Sequence, residues 1–290
     1  MNPIRTIVAA TDFSFSAHRA ARRAGVLAKS CDAALHLLHI IDTSPIQALL
    51  RHTPAFDVEK PLALDAERAL DSLADDIQAF TGTVSARLVR EGRVIDEMIA
   101  AGSSADLMVL GPRGINPLRD LLLGSTAERI ARMVERPMLV VKQDPGIAYE
   151  NVLVPVDFSD YSLPALQFAR ALAPDATLHI LHAIHGSLER TLRGAGVSDA
   201  GVASYIQELQ REANESMDQL RRRLNDEHAV SSVRMGDARV LIPEYASATG
   251  CALIVMGKQG RSWLSEHVLG SVTRHIIEHA QCDVAVVPHE

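Results

Sequence analysis

Gly111-Pro112-Arg113-Gly114, then nine residues, then Gly124-Ser125-Thr126: the reading of this stretch decides the rest. The same design returns as Gly257-Lys258-Gln259-Gly260, nine residues, then Gly270-Ser271. Each copy follows an apolar run with strand character, Ala105 to Leu110 and Cys251 to Met256. Each precedes a run with helical character, Ala127 to Glu135 and Val272 to His279. A strand, a glycine-bearing loop and a helix opening on Gly-Ser together present free backbone N–H groups to an anion. Glycines that serve only as tight turns and helix caps would account for one copy. Two copies at the same place in a repeated unit favour the anion-binding reading.

Outward from these loops the chain is one unit written twice. Arg5-Thr-Ile-Val-Ala-Ala-Thr-Asp12-Phe-Ser14 matches Asn151-Val-Leu-Val-Pro-Val-Asp157-Phe-Ser159, and Leu35-His-Leu-Leu-His-Ile-Ile41 matches Leu178-His-Ile-Leu-His-Ala-Ile184. Glu91-Gly92 matches Met235-Gly236, and the terminal runs Pro137 to Val141 and Asp283 to Val287 match as well, all at offsets of 143 to 146. Two related domains, 1–145 and 146–290, therefore meet near Asp144-Pro145-Gly146, which reads as a linker turn.

Within a unit, strands alternate with helices. The first strand is expected over Ile4 to Ala10. A helix capped by Ser14 or Ser16 runs to Lys29. Further strands are expected over Ala34 to Ile41, Val84 to Val89 and Ala105 to Leu110. Helices are expected from Leu62 to about Phe80 and from Val94 to Gly102. The second unit carries a variable insert, Gly186 to Gly201, and a helix from about Val202 to Asp226, whose charged stretch Glu208 to Glu227 reads as a solvated face. Such alternation means parallel strands with right-handed crossovers. The fold class is α/β: two tandem, doubly wound, five-stranded parallel sheets, with flavodoxin-like or nucleotide-α-hydrolase-like layering. In either order, ligands sit where the chain reverses beside the first strand, outside the carboxyl ends of the strands. If the first and fourth strands flank that point, Asp12 faces Gly111 and Asp157 faces Gly257.

Composition narrows the function. The 290 residues are 47% apolar, enough to bury a core, and the formal net charge is −7. An acidic balance argues against a nucleic-acid partner, yet a local nest of N–H groups can still hold a small anion. Cys31, Cys251 and Cys282 have no zinc-type spacing and read as reduced thiols. No secretory pattern opens the chain and no apolar run reaches membrane length, so neither export nor a membrane partner is expected and the expected location is cytoplasmic.

The pattern Gly-x2-Gly-x9-Gly-[Ser/Thr], preceded by a first strand ending in Asp and by Leu-His on the second strand, resembles the ATP-binding class of the universal stress protein family. The resemblance covers essentially the whole chain, as a tandem pair. It implies ATP lying across each switch point; in the ATPase alternative Mg²⁺ would be held mainly by its phosphates. Adenine would sit near Asp12 and Ile40 in the first unit and near Asp157 and Ala183 in the second. Gly111, Arg113 and Gly114, with Gly257, Gln259 and Gly260, would run beside ribose and phosphates. Gly124, Ser125 and Thr126, with Gly270, Ser271 and Thr273, would hold phosphates at a helix N-terminus. The physical reasons stand on their own: glycine admits close approach, a helix start supplies N–H groups, and a hydroxyl adds a donor. Pro112 removes one backbone donor from the first loop, and Pro117 follows it in the variable stretch.

Other signals weigh less. His36 and His39 lie three apart on a strand and point to opposite faces, as do His179 and His182. His275 and His279 could share a helix face, but a metal would need a third ligand, and His267 is the nearby choice. No metal site is assigned. No P-loop and no Gly-x-Ser-x-Gly elbow occur, so Ser125 and Ser271 are not nucleophiles and no catalytic residue is assigned. Three functions follow: a nucleotide-linked sensor or regulator of a stress response, a slow Mg-dependent ATPase, or a scaffold whose glycines are only structural. By the same resemblance, Met138 to Lys142 and Val284 to Pro288 would pair the two units as an intramolecular pseudo-dimer. A homodimer would then need another surface.

Overall fold

The structure, a computed structural model, describes residues 3–43, 59–114, 124–260 and 268–289. They fall into two compact units, 2–148 and 149–289. The expectations for Pro117 and His267 lie outside the described residues, as does most of the 42–61 connection.

In the first unit, β1 (Thr6–Ala10) leads to α1 (Phe15–Cys31), β2 (Ala34–Asp42), α2 (Glu59–Thr81) and β3 (Ser85–Gly92). Then come α3 (Val94–Ser103), β4 (Leu107–Leu110), α4 (Ser125–Met133) and β5 (Met138–Val140). The strand order is β3-β2-β1-β4-β5, with every pairing parallel. Of the two expected layerings this is the nucleotide-α-hydrolase-like one. The chain winds from β1 through β2 to β3 on one side, then returns past β1 to β4. The reversal leaves a crevice between the carboxyl ends of β1 and β4, where Asp12 and Gly111 begin their loops. β4 and β5 are buried along their whole length, as strands covered on both faces must be.

The second unit has the same plan. It comprises β6 (Asn151–Pro155), α5 (Ser162–Leu172), β7 (Thr177–Ile184), α6 (Ser187–Gly194), α7 (Asp199–Leu224) and β8 (Val230–Met235). It closes with α8 (Ala238–Ala248), β9 (Leu253–Gly257), α9 (Ser271–His279) and β10 (Asp283–Val287). The order is β8-β7-β6-β9-β10, again all parallel.

Several details differ from the sequence expectation, most at helix starts. α2 begins at Glu59, so Pro61 lies in its first turn, where a missing N–H costs nothing because those groups have no intrahelical acceptor. The variable insert is itself partly helical, as α6. α7 starts at Asp199 because Ser198 caps it, accepting from Gly201 N at 3.3 Å. Ala200-Gly201 conceals that start in the sequence.

The chain leaving β5 is fastened to α1. Arg23 is 1% exposed in the middle of α1. Its guanidinium donates to the carbonyls of Ile147 at 2.7 Å and Asp144 at 2.8 Å. Arg19 donates to the carbonyl of Lys142 at 2.7 Å. The Asp144 carboxylate closes the linker turn by accepting from Gly146 N at 2.8 Å. A buried guanidinium with carbonyl partners is held by charge-assisted bonds worth about 1.5–3 kcal/mol each. Arg23→Met should therefore destabilise the first unit by about 2–3 kcal/mol, and Arg19→Met by less than about 1 kcal/mol. Urea denaturation of the two variants checks both values.

Candidate functional site

The site is built from the turn that leaves the first strand. Asp12-Phe13-Ser14 and Asp157-Phe158-Ser159 adopt the same conformation, with both phenylalanines at φ 61°. A left-handed backbone at phenylalanine is costly, so something must hold it. Phe13 N donates to Thr11 Oγ1 at 2.9 Å, and Ser14 N donates to Asp12 Oδ1 at 3.0 Å. The Phe13 ring stacks on His39 of β2 with centroids 4.4 Å apart, and the Phe158 ring meets His182 of β7 at 4.3 Å. The histidines are fixed in turn, His39 Nδ1 lying 2.9 Å from the Thr11 carbonyl and His182 Nδ1 2.8 Å from that of Val156. The Leu-His signal on the second strand thus marks a brace for the turn. The sequence carried a sign of this, Asp-Phe-Ser at both places, but not the reason for it.

The turn aims the carboxylate at the glycine loop. A Cβ on Gly114 would lie 2.5 Å from Asp12 Oδ2, and a Cβ on Gly260 would lie 2.5 Å from Asp157 Oδ2. Asp157 Oδ1 accepts three bonds, from Ser159 N at 3.0 Å, Ser159 Oγ at 2.6 Å and Ser162 Oγ at 3.3 Å. The first glycine of each motif answers to a different neighbour. At Gly111 a Cβ would meet the backbone of Ser16 and Ala17 at 2.8–3.0 Å, and at Gly257 it would meet Tyr161 Cβ at 2.6 Å. The third glycine is less constrained. At Gly124 the tightest approach would be 3.3 Å, to the Pro112 carbonyl, and at Gly270 it would be 3.4 Å. Both have ordinary extended backbone, φ −62° and −57°, that any residue adopts.

Gly124 and Gly270 fold back onto the loop that carries the first two glycines. Gly124 N donates to the Pro112 carbonyl at 2.8 Å and Gly270 N to that of Lys258 at 3.0 Å. They cap α4 and α9 without any side-chain acceptor, so the N–H groups of the first helical turn have no side-chain partner from the cap. Pro112 costs the site less than its missing donor suggests. At the equivalent place, Lys258 N donates to the Val287 carbonyl at 2.8 Å, a bond within the protein.

The remaining expected residues divide. Ser125 and Thr126 line a cavity of about 320 Å³. Arg113 is braced through its carbonyl, which accepts from Ser16 Oγ. Ile40 packs with Val8, Leu38, Ala101 and Ala105, and Ala183 is half-buried opposite Arg234. Ser271 opens α9 and is exposed. The side chains of two further expected residues are engaged within the protein. Gln259 is buried, with Oε1 accepting from Tyr161 OH at 2.8 Å and Nε2 donating to the Val268 carbonyl at 2.6 Å, so its amide holds the loop together. Thr273 is also buried and donates to the Gly257 carbonyl at 3.0 Å. It stands one residue further along its helix than Thr126 does, which turns its side chain by about 100°, toward the sheet. His275 and His279 do share a face, with rings stacked 4.2 Å apart. Among the described residues, no three potential ligands gather as a metal group.

The cavity also exposes what the sequence reading passed over. Its walls include Asp42 at the end of β2, Arg93, Val94 and Ile95 at the start of α3, and Arg129 on α4. In the second unit, Asp237 takes the place of Arg93. It caps α8, accepting from Arg239 N at 2.9 Å, and pairs with the Arg239 guanidinium at 2.6 Å, which draws its carboxyl down to about 2.

The glycine contacts separate two kinds of substitution. Gly111→Ala drives a methyl group into helix backbone and should destabilise the first unit by about 1–3 kcal/mol. Gly114→Ala meets only the carboxylate end of the Asp12 side chain, so stability should change by less than about 1 kcal/mol while the carboxylate is displaced. Thermal denaturation of the pair, with a crystal structure of Gly114→Ala, checks both outcomes.

Known proteins share the sequence pattern and the fold. A universal stress protein of Mycolicibacterium smegmatis is 26% identical, covering 97% of this chain and 96% of its own. Universal stress protein G of Escherichia coli O157:H7 is 31% identical over 144 residues, 48% of this chain and 99% of its own. The crystal structure of a universal stress protein from Archaeoglobus fulgidus DSM 4304 shares the fold, with a TM-score of 0.70 at 19% identity over 98% of both chains. The Universal stress protein family matches twice, over residues 3–142 and 148–288, and the chain belongs to that family.

Proposed function

We propose that each unit binds ATP across its switch point, and that the chain is a cytoplasmic, nucleotide-linked regulator of a stress response. The observation that carries this reading is the third glycine of each motif. The protein's own packing accounts for Gly111 and Gly114, and for Gly257 and Gly260, because a Cβ there would meet atoms at 2.5–2.8 Å. At Gly124 and Gly270 neither packing nor backbone conformation demands glycine to that degree. What glycine adds there is room beside a helix start whose cap supplies no side-chain acceptor, which is what a phosphate requires.

Regulation would act by linkage. A ligand that prefers one arrangement of the chain shifts the population toward it, by about 2.7 kcal/mol when present at a hundredfold excess over its Kd. The carboxylates suit binding better than hydrolysis. Oδ1 of Asp12 and of Asp157 already accepts bonds within the turn, and Oδ2 abuts a loop glycine. Mg²⁺ would ride on the phosphates.

Denaturing the purified chain and separating the released nucleotide by chromatography should give about two ATP per chain. Gly124→Arg and Gly270→Arg should each remove one of them. Release of ADP, with turnover that an Asp12→Asn/Asp157→Asn variant abolishes, would replace regulation with hydrolysis. No release, and no uptake of added ATP with Mg²⁺, would overturn the reading.

A further inference from the structure

The cavity beside α4 is not symmetric between the units. In the first unit two guanidiniums, Arg93 from the start of α3 and Arg129 from α4, border it together with the α4 N-terminus at Ser125 and Thr126. Arg93 is three-quarters exposed, and its Nη1 lies 3.5 Å from Asp96, a loose surface pair that a phosphate would displace. Arg129 has no ion pair among the described residues. Two nearby acids are engaged by other arginines, Glu128 with Arg132 at 2.6 Å and Glu97 with Arg90 at 3.4 Å. Asp42 is the carboxylate in the wall, an acceptor suited to a sugar hydroxyl and unsuited to a phosphate.

Register places different groups at these positions in the second unit. From the matched Gly92/Gly236, Gly124/Gly270 and Ile41/Ile184, Arg93 becomes Asp237, Arg129 becomes His275 and Asp42 becomes His185. Asp237 is occupied by Arg239 and by its own helix cap. His275 stacks on His279, and burial together with the neighbouring His279 and Arg239 holds its imidazole below the ordinary range. A neutral imidazole there offers a phosphate far less than a guanidinium does.

We infer that Arg93 and Arg129 form a clamp for the polyphosphate tail of a nucleoside triphosphate in the first unit, a clamp the second unit lacks. The two sites therefore differ in kind. The first discriminates strongly between triphosphate and monophosphate, and its affinity falls with salt. The second holds its nucleotide through the helix start and the loop, and discriminates little. This inference rests on the nucleotide reading above.

The test uses the full chain carrying Gly270→Arg, which leaves the first site open, and compares ATP with AMP by calorimetry. Arg93→Gln and Arg129→Gln should each lower ATP affinity about tenfold or more. AMP affinity should stay within about threefold. Arg129→Lys should recover part of the loss. In the reciprocal Gly124→Arg background, the second site should show a much smaller ATP-to-AMP ratio than the first. Circular dichroism and melting of the arginine variants should match the parent, since both side chains lie at the surface of the cavity. An ATP-to-AMP ratio at the first site that the double Arg93→Gln/Arg129→Gln variant leaves unmoved overturns the clamp and spares the nucleotide reading. Failure of the unsubstituted chain to bind either nucleotide overturns both.

Discussion

The architecture of each site depends on one strained turn. Phe13 and Phe158 are held in the left-handed region, where a residue with a Cβ loses about 1–2 kcal/mol. Each ring packs on a histidine of the neighbouring strand, and that histidine is tied back to the strand end. Because the turn is braced by the ring and its histidine, the aspartate before it is presented to a loop glycine. Strain of this sort persists where the surroundings over-determine it, and it does so here at the reversal point of the sheet.

On this shared frame the two units brace their glycine loops differently. In the first, the hydroxyl of Ser16 reaches the Arg113 carbonyl. In the second, the equivalent position is Tyr161, whose hydroxyl donates to Gln259, and Gln259 in turn holds the Val268 carbonyl. The first glycine of the motif is forced in both units, by helix backbone in one and by the tyrosine in the other. A short polar brace and a long aromatic one thus leave the same loop geometry, and the surrounding walls are free to diverge in charge.

The helix starts complete the design. α4 and α9 open on glycine with no side-chain acceptor at the cap, whereas α1 opens on Ser14 and α8 on Asp237. A serine or aspartate at the cap would satisfy the first N–H groups from within and close them to a ligand. Leaving the cap bare sacrifices some helix stability and keeps the positive end of the helix available to an anion.

The sequence by itself determined the repeat, the alternation of strand and helix, the place of Asp12 and Asp157 at a strand end, and the glycine loops. All of these are local periodicities or short spacings, carried within a few tens of residues. It left the strand order open between two layerings, and only the tertiary structure placed β1 between β2 and β4. Residue type and spacing do not show which way a side chain turns, and only packing shows that Thr273 and Gln259 point inward. The sequence reading passed over Phe13 and Phe158 because a left-handed phenylalanine has no compositional mark. It passed over Asp42, Arg93 and Arg129 because they lie far apart in the chain and meet only through non-local parallel pairing. Which side chains share a wall is decided by that pairing and by the crossovers it imposes, and no local pattern encodes it.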